Sequence, residues 1–182
     1  GVAVTGSQIT KVITQDGKSY EARAVILATG HSARDMYELL QRSRIAMESK
    51  FFAMGVRVEH PQELIDSIQY HGQKTEYLPA ASYQVVEQID KRGVYSFCMC
   101  PGGQIVPSAT APEEVVVNGM SVSMRNSPYA NSGLVVQILE DDLKPFARYG
   151  ALAGLALQQQ LEQQCFRHAG SEQKSPAQRL TD

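Results

Sequence analysis

Apolar and polar residues alternate from Gln8 to Thr14 and again from Tyr20 to Ala24, the two-residue period of a strand with one face on a core. Between them Asp16-Gly17 supplies the positive φ that a tight hairpin turn needs. Ala24 to Ala28 (AVILA) is instead a continuous apolar run ending at Thr29-Gly30, which suits a strand buried on both faces, as in a parallel sheet. Ser32 or Asp35 stands where it would cap a short helix through about Arg42. FFAMGVRVEH, from Phe51, reads as another strand, and Pro61 opens a helix over roughly Gln62 to Gln69 that stops near Gly72. From Ala80 to Leu139 the pattern is β: ASYQVVEQI, VYSFCMC, QIVPSA, EVVVNGM and GLVVQIL. Turns fall at Lys91-Arg92-Gly93, Pro101-Gly102-Gly103, Pro112-Glu113-Glu114 and around Asn126 to Asn131, so consecutive strands predict an antiparallel meander. A last helix runs from about Leu152 to His168, with Gly170 placed to end it. The expected fold class is α+β, a largely antiparallel β-sheet with flanking helices.

Composition narrows the setting. The 182 residues are 43% hydrophobic and 20% charged with a net charge of -2, which gives no electrostatic reason to expect nucleic acid or an anionic membrane surface. No apolar run approaches a bilayer-spanning length, no signal pattern opens the chain, and three cysteines do not make a disulfide framework. A reducing, cytoplasmic location is expected. The chain begins at GVAVTGSQ without an initiator methionine and stops at KSPAQRLTD, which reads as a piece cut from a longer protein.

Cys98 and Cys100 stand one residue apart in SFCMCPGG. Regular alternation would place Ser96, Cys98 and Cys100 on one face and Phe97 and Met99 on the other. Extended backbone then holds the two cysteines too far apart for a disulfide, which wants Cβ atoms within about 4.5 Å. Cys165 and the four histidines, His31, His60, His71 and His168, lack ligand spacing, and no metal is expected. Both thiols read as small buried apolar side chains. Gly102 and Gly103 either make an ordinary turn after Pro101 or let a ligand come close. Arg57, inside AMGVRVEH, either lays its stem on a sheet face with its head in water or points into a cavity holding an anionic group. Met54, Val56 and Val58 alternate with Ala53, Gly55, Arg57 and Glu59, which a solvent-facing side explains most simply. Arg125 to Gly133 is dense in hydrogen-bonding groups and breakers, the make-up of a loop that turns and carries function.

The opening hairpin followed by AVILATG is similar to the return segment of a two-layer FAD-binding domain, where a β-meander leads to a buried strand ending in Ala-Thr-Gly. ATGHSARDMYELL, FFAMGVRVEHPQELID, LPAASYQVVEQ, SFCMCPGG, VVVNGMSVSMRNSPYANSGLVV and PAQRLTD then follow in that order. This succession, spanning nearly the whole chain, resembles the FAD-dependent dehydrogenases also labelled NAD-utilising dehydrogenases. The resemblance implies a strip of an FAD-binding α/β domain over 1–45, an inserted β-rich substrate domain over 46–145, and a helix and tail over 146–182 that return toward the FAD domain. It implies cofactor contacts at Ala28, Thr29 and Gly30. His31, Ser32 and Asp35 follow on the loop, to reach ligand or to cap a helix. Arg57, Cys98, Cys100, Pro101, Gly102, Gly103, Arg125, Asn126 and Asn131 are the implied candidates for facing flavin or substrate.

No paired carboxylates or nucleophile–base set marks a catalytic residue, as suits an oxidoreductase whose flavin does the redox chemistry on a small-molecule substrate. The family holds FAD through a GxGxxG turn that this sequence lacks, so FAD is expected in a longer protein, with this chain alone neither retaining it nor active. NAD is a second cofactor the resemblance admits. Two other readings are a non-enzymatic β-rich binding or assembly module and, further off, a thiol-dependent enzyme using Cys98 or Cys100 with a histidine. An apolar strand edge within Gln8 to Gly30 that lacks its neighbours tends to pair with another copy. Light scattering on this chain is therefore expected to find homodimers, and a monodisperse monomer would count against that edge.

Overall fold

The hairpin expected at the start forms, and a third strand extends it. In the computed structural model, which describes residues 1–182, β1 (Val2–Thr5), β2 (Gln8–Ile13) and β3 (Ser19–Glu21) pair antiparallel in that order. Gly17, at φ +82°, makes the turn between β2 and β3, and the Asp16 carboxylate accepts from Thr14 Oγ1 at 2.5 Å. α1 (Arg34–Arg42) follows, with Ala33 at its N-cap and no side-chain cap from Ser32 or Asp35. These elements belong to the first of two compact units, Gly1–Ser49; the second is Lys50–Asp182. The AVILA run departs from expectation. Residues 24–30 form no regular structure and stay exposed, Ile26 to 92%. A strand buried on both faces needs ladder partners on its edges and packed layers above and below. No strand of this chain pairs with it.

In the second unit, β4 (Phe52–Pro61) leads into α2 (Gln62–Gln69), and β5 (Val86–Ile89), β6 (Arg92–Cys100), β7 (Gly103–Ser108), β8 (Val116–Ser121) and β9 (Tyr129–Ile138) follow. The simple meander gives way to a sheet ordered β4-β9-β6-β5, with β7 and β8 as a separate hairpin. β9 pairs along its whole length with β4, from Phe52↔Ile138 to Pro61↔Tyr129, and along its other edge with β6. Small residues fit it for this central place: Ala130, Asn131, Ser132 and Gly133 are all buried. The strands also meet closely, since a β-carbon on Gly55 would run into the Leu134 carbonyl.

The β5–β6 turn falls at Asp90-Lys91, both at positive φ (+48° and +65°), rather than at Lys91 to Gly93. Ile89↔Arg92 is the closing pair, the register of a two-residue primed turn. This draws Arg92 into the strand, where its guanidinium grips the Asp142 carboxylate through two contacts of 2.5 and 2.9 Å and also donates to the Gln137 carbonyl at 3.1 Å. Asp142 in turn accepts from the Leu139 amide at 2.8 Å, at the head of a 3₁₀ segment, Glu140–Leu152. Gly150, at φ +57°, breaks that segment before α3 (Ala153–His168). Gly154 lies against the Phe52 ring, which brings the start of α3 to the start of β4.

α2 is fixed by polar contacts as well as by its buried Ile65. Gln62 and Asp66 are buried; Gln62 Nε2 donates to Asp66 Oδ1 and to the Ala81 carbonyl, each at 2.9 Å, and the Ala81 amide donates to the same Asp66 oxygen at 2.8 Å. The other Asp66 oxygen meets the Lys74 ammonium. No helix is long and apolar enough to cross a membrane. The accessible surface, 13,309 Å², exceeds the roughly 10,000 Å² that two separate compact bodies of these lengths would expose. Large apolar side chains, among them Val56, Tyr77, Val86, Phe97 and Met124, stand exposed on it.

Both gripped carboxylates titrate low. The Arg92 hydrogen bonds, helped by the Leu139 amide, hold Asp142 at about 2. Burial would push Asp66 up, but Lys74, the Ala81 amide and Gln62 together outweigh it and hold the group below its ordinary value. A carboxylate whose folded value is depressed contributes stability above its unfolded value, near 4, and loses it as pH falls through the folded one. Thermal melts of this chain are expected to drop steeply between about pH 4 and 2. Asp142→Asn should be less stable at pH 7 and show a shallower drop, and an unchanged slope would exclude Asp142 as its source.

Candidate functional site

The SFCMCPGG stretch forms the end of β6 and the turn that leaves it, and an irregularity in β6 sets the local geometry. Phe97 pairs with Gly133 and Cys100 with Asn131, so Cys98 and Met99 together stand opposite Ser132 alone. This is a β-bulge whose first residue, Cys98, lies at φ +50°, a region normally left to glycine. The extra residue reverses the alternation beyond it. Ser96, opposite Leu134, and Cys100, opposite Asn131, therefore lie on opposite faces, contrary to the regular alternation. Cys98 is exposed and Cys100 buried, both as free thiols.

Arg57 holds the bulge in place. It pairs with Gly133 on β9, two residues from the Glu59–Asn131 pair, and so shares a face with Asn131 and Cys100. Its Nη1 and Nη2 donate to the Cys98 carbonyl at 3.1 and 3.0 Å, Nη1 also donates to Asn131 Oδ1, and Cys100 Sγ lies 3.8 Å away. A non-glycine residue in the left-handed region costs roughly 1–2 kcal/mol. A hydrogen bond from a charged donor contributes about 1.5–3 kcal/mol net. Two of them, even reduced by the partial exposure of Arg57, offset that strain. Half-buried and turned onto its own chain, the guanidinium fills the space above Gly119 of β8. A β-carbon there would collide with Arg57, Asn131 and Cys100.

The Pro-Gly-Gly turn is fitted to the chain itself. Gly102, at φ +52°, has no room for a side chain because the Arg125 backbone occupies that space. Its amide donates to buried Gln62 Oε1 at 2.7 Å, and its carbonyl accepts from the Ser127 amide at 3.3 Å. The Pro101 carbonyl accepts from Ser121 Oγ at 2.9 Å, and Gly103 opens β7 hard against the Met120 carbonyl of β8. Arg125 and Asn126 continue from this contact into a groove of about 1050 Å³ between α2, residues 72–80 and residues 124–129. Lys74, Tyr77, Met124 and Tyr129 also line it. A second, smaller cavity of about 330 Å³ lies beside Cys98.

Arg57, Cys98, Cys100, Pro101, Gly102, Gly103, Arg125, Asn126 and Asn131 thus form one connected region of the second unit. Ala28, Thr29 and Gly30 belong to the first. They are exposed, line neither cavity, and face open space where a β-carbon on Gly30 would stand. These residues do not by themselves make a nucleotide site. Sequence reasoning missed Gln62, Asp66 and Gly119. Only Gly119 left a signal, a glycine inside a strand pattern, which marks a close approach.

Residues 51–182 match the family described as FAD-dependent protein, C-terminal domain-like. A relative from Clostridium beijerinckii, described as an uncharacterized protein, is 43% identical over 173 residues, covering 93% of this chain and 32% of its own length. The chain therefore spans about a third of that relative.

Gly119→Ala is expected to lower stability by about 1–3 kcal/mol in denaturant unfolding, the cost of forcing extra volume into a filled site. Because the intruding carbon meets the Arg57 guanidinium, the same change should perturb the Cys98 and Met99 amide resonances, and silent amides would disconnect Gly119 from the bulge.

Proposed function

The chain belongs to the FAD-dependent protein C-terminal domain-like family, and we propose that it is the substrate-side portion of a longer FAD-dependent oxidoreductase. On this reading the second unit covers the flavin, presenting Cys98 to Gly103 and the Arg125 to Asn131 stretch toward cofactor and substrate. The first unit contributes a strand to the FAD-binding domain. The observation that carries the reading is the exposed, unpaired run from Ala24 to Gly30, whose composition belongs inside a sheet and whose backbone has no ladder in this chain. The length of the Clostridium relative, about three times the span matched here, supplies room for the missing layers. The exposed large apolar side chains point the same way.

The protein's part in such an enzyme is to bind, orient and exclude water, while bound FAD supplies the two-electron chemistry. The rigid elements suit that part: a bulge clamped by Arg57 and a glycine turn clamped by Gln62 give a loop with little freedom to move.

The full-length Clostridium relative tests the proposal. It is expected to purify with bound flavin that an electron-donating substrate bleaches. Deleting the segment matching 51–182 should abolish that bleaching by substrate while dithionite still reduces whatever flavin remains. A relative that purifies without flavin and takes none up on reconstitution would leave the non-enzymatic binding module as the better reading.

A further inference from the structure

A second pair of side chains meets on the face of the sheet opposite Arg57. His60 of β4 and Tyr83, in the segment preceding β5, have their rings 5.4 Å apart, with His60 Nε2 2.9 Å from the Tyr83 hydroxyl. Val85 exchanges backbone and side-chain hydrogen bonds with Ser96, which keeps residues 82–85 running alongside β6. Tyr83 lines the 330 Å³ cavity together with Ser82, Gln84, Ser96, Cys98 and Met99.

The tautomer of His60 sets which group donates. His60 Nδ1 is buried and has no hydrogen-bond partner. A buried N–H without an acceptor costs more than a bare lone pair, which favours the tautomer that carries the ring hydrogen on Nε2 and donates it to the Tyr83 oxygen. The phenolic hydrogen is then not used by His60 and remains free to donate elsewhere. None of the lining side chains carries a formal charge, and the Ser96 hydroxyl is engaged with Val85. The hollow is open to solvent on one side, with a volume of about 330 Å³. Cys98, on the same wall, has a strained backbone pinned by Arg57, and backbone strain of this kind gathers at functional sites.

We propose that this cavity binds a small, uncharged molecule through a carbonyl oxygen that accepts a hydrogen bond from Tyr83, with His60 as the positioning residue that holds the ring and frees its hydrogen. The proposal rests on residues of this chain and does not require the flavin reading. Its test therefore uses the 182-residue chain with no cofactor.

Cyclohexanone serves as the probe and the exposed Cys98 thiol as the reporter. Cyclohexanone is expected to slow alkylation of Cys98 by iodoacetamide, followed peptide by peptide, while acetate leaves it unchanged. In Tyr83→Phe the concentration giving half protection should rise about fivefold, the loss of one neutral hydrogen bond. No protection up to the solubility limit overturns the site, equal protection in Tyr83→Phe overturns the hydrogen bond, and equal protection by acetate overturns the selection for an uncharged ligand. A readout on the unaltered chain covers the case of a variant that fails to fold. The ¹⁵N shifts of His60 should be those of the Nε2–H tautomer, and the Nδ1–H tautomer would overturn the free phenolic hydrogen.

Discussion

Two hydrogen bonds from the Arg57 guanidinium to the Cys98 carbonyl hold β6 in a shape its sequence resists, and the second unit is arranged around that grip. One extra residue opposite Ser132 turns Cys100 inward on the Arg57 face and leaves Cys98 outside. Beyond Cys100 the chain leaves the sheet through Pro101-Gly102, is caught by Gln62 and the Arg125 backbone, and returns as the β7–β8 hairpin. Gly119 of that hairpin lies over the guanidinium. A regular β6 would send Cys100 to the other face and misdirect every residue after it.

Polar groups carry a large share of the interior. The largest side chains with no exposure are Glu114, Asn131 and Ser132, whereas the buried apolar residues are mostly small, such as Ala81, Ala130 and Ala153. Glu114 is reached by Gln163 from α3 and by Gln173, and the Val115 amide donates to the Glu162 carbonyl, so α3 docks on the β7–β8 connection through hydrogen bonds. Directional contacts of this sort fix geometry well but supply little net free energy. The large apolar side chains that would supply it stand on the surface instead.

Local signals made some elements legible and long-range ones hid the rest. α2 lies where Pro61 and the apolar spacing put it, α3 begins one residue from its expected start, and the opening hairpin turns on Asp16-Gly17. Each depends on neighbours a few residues away. The place of β9 between β4 and β6 depends on partners scores of residues distant, and no window of sequence encodes that order. Cys98 carries no mark of its left-handed backbone, since the reason for it is Arg57 on another strand. The Asp90-Lys91 turn was masked by the nearby Gly93, which the ladder uses as an ordinary strand residue. Within the candidate region, residue chemistry drew attention to Arg57, Cys98, Cys100 and Asn131. Their mutual contact, and the meeting of His60 with Tyr83, came only with the pairing of strands.

The central place of β9 also orders events in time. A ribosome delivers Phe52 to Pro61 long before Tyr129 to Ile138, so β4 must wait for the intervening chain to emerge before its ladder can close. β6 waits as well, because its inner edge belongs to the same late strand. Until then the sheet has two halves and no middle, with the backbone donors and acceptors along the facing edges of β4 and β6 unpaired. The sheet of this unit therefore cannot be completed during synthesis before its last strand arrives, because that one strand joins both halves.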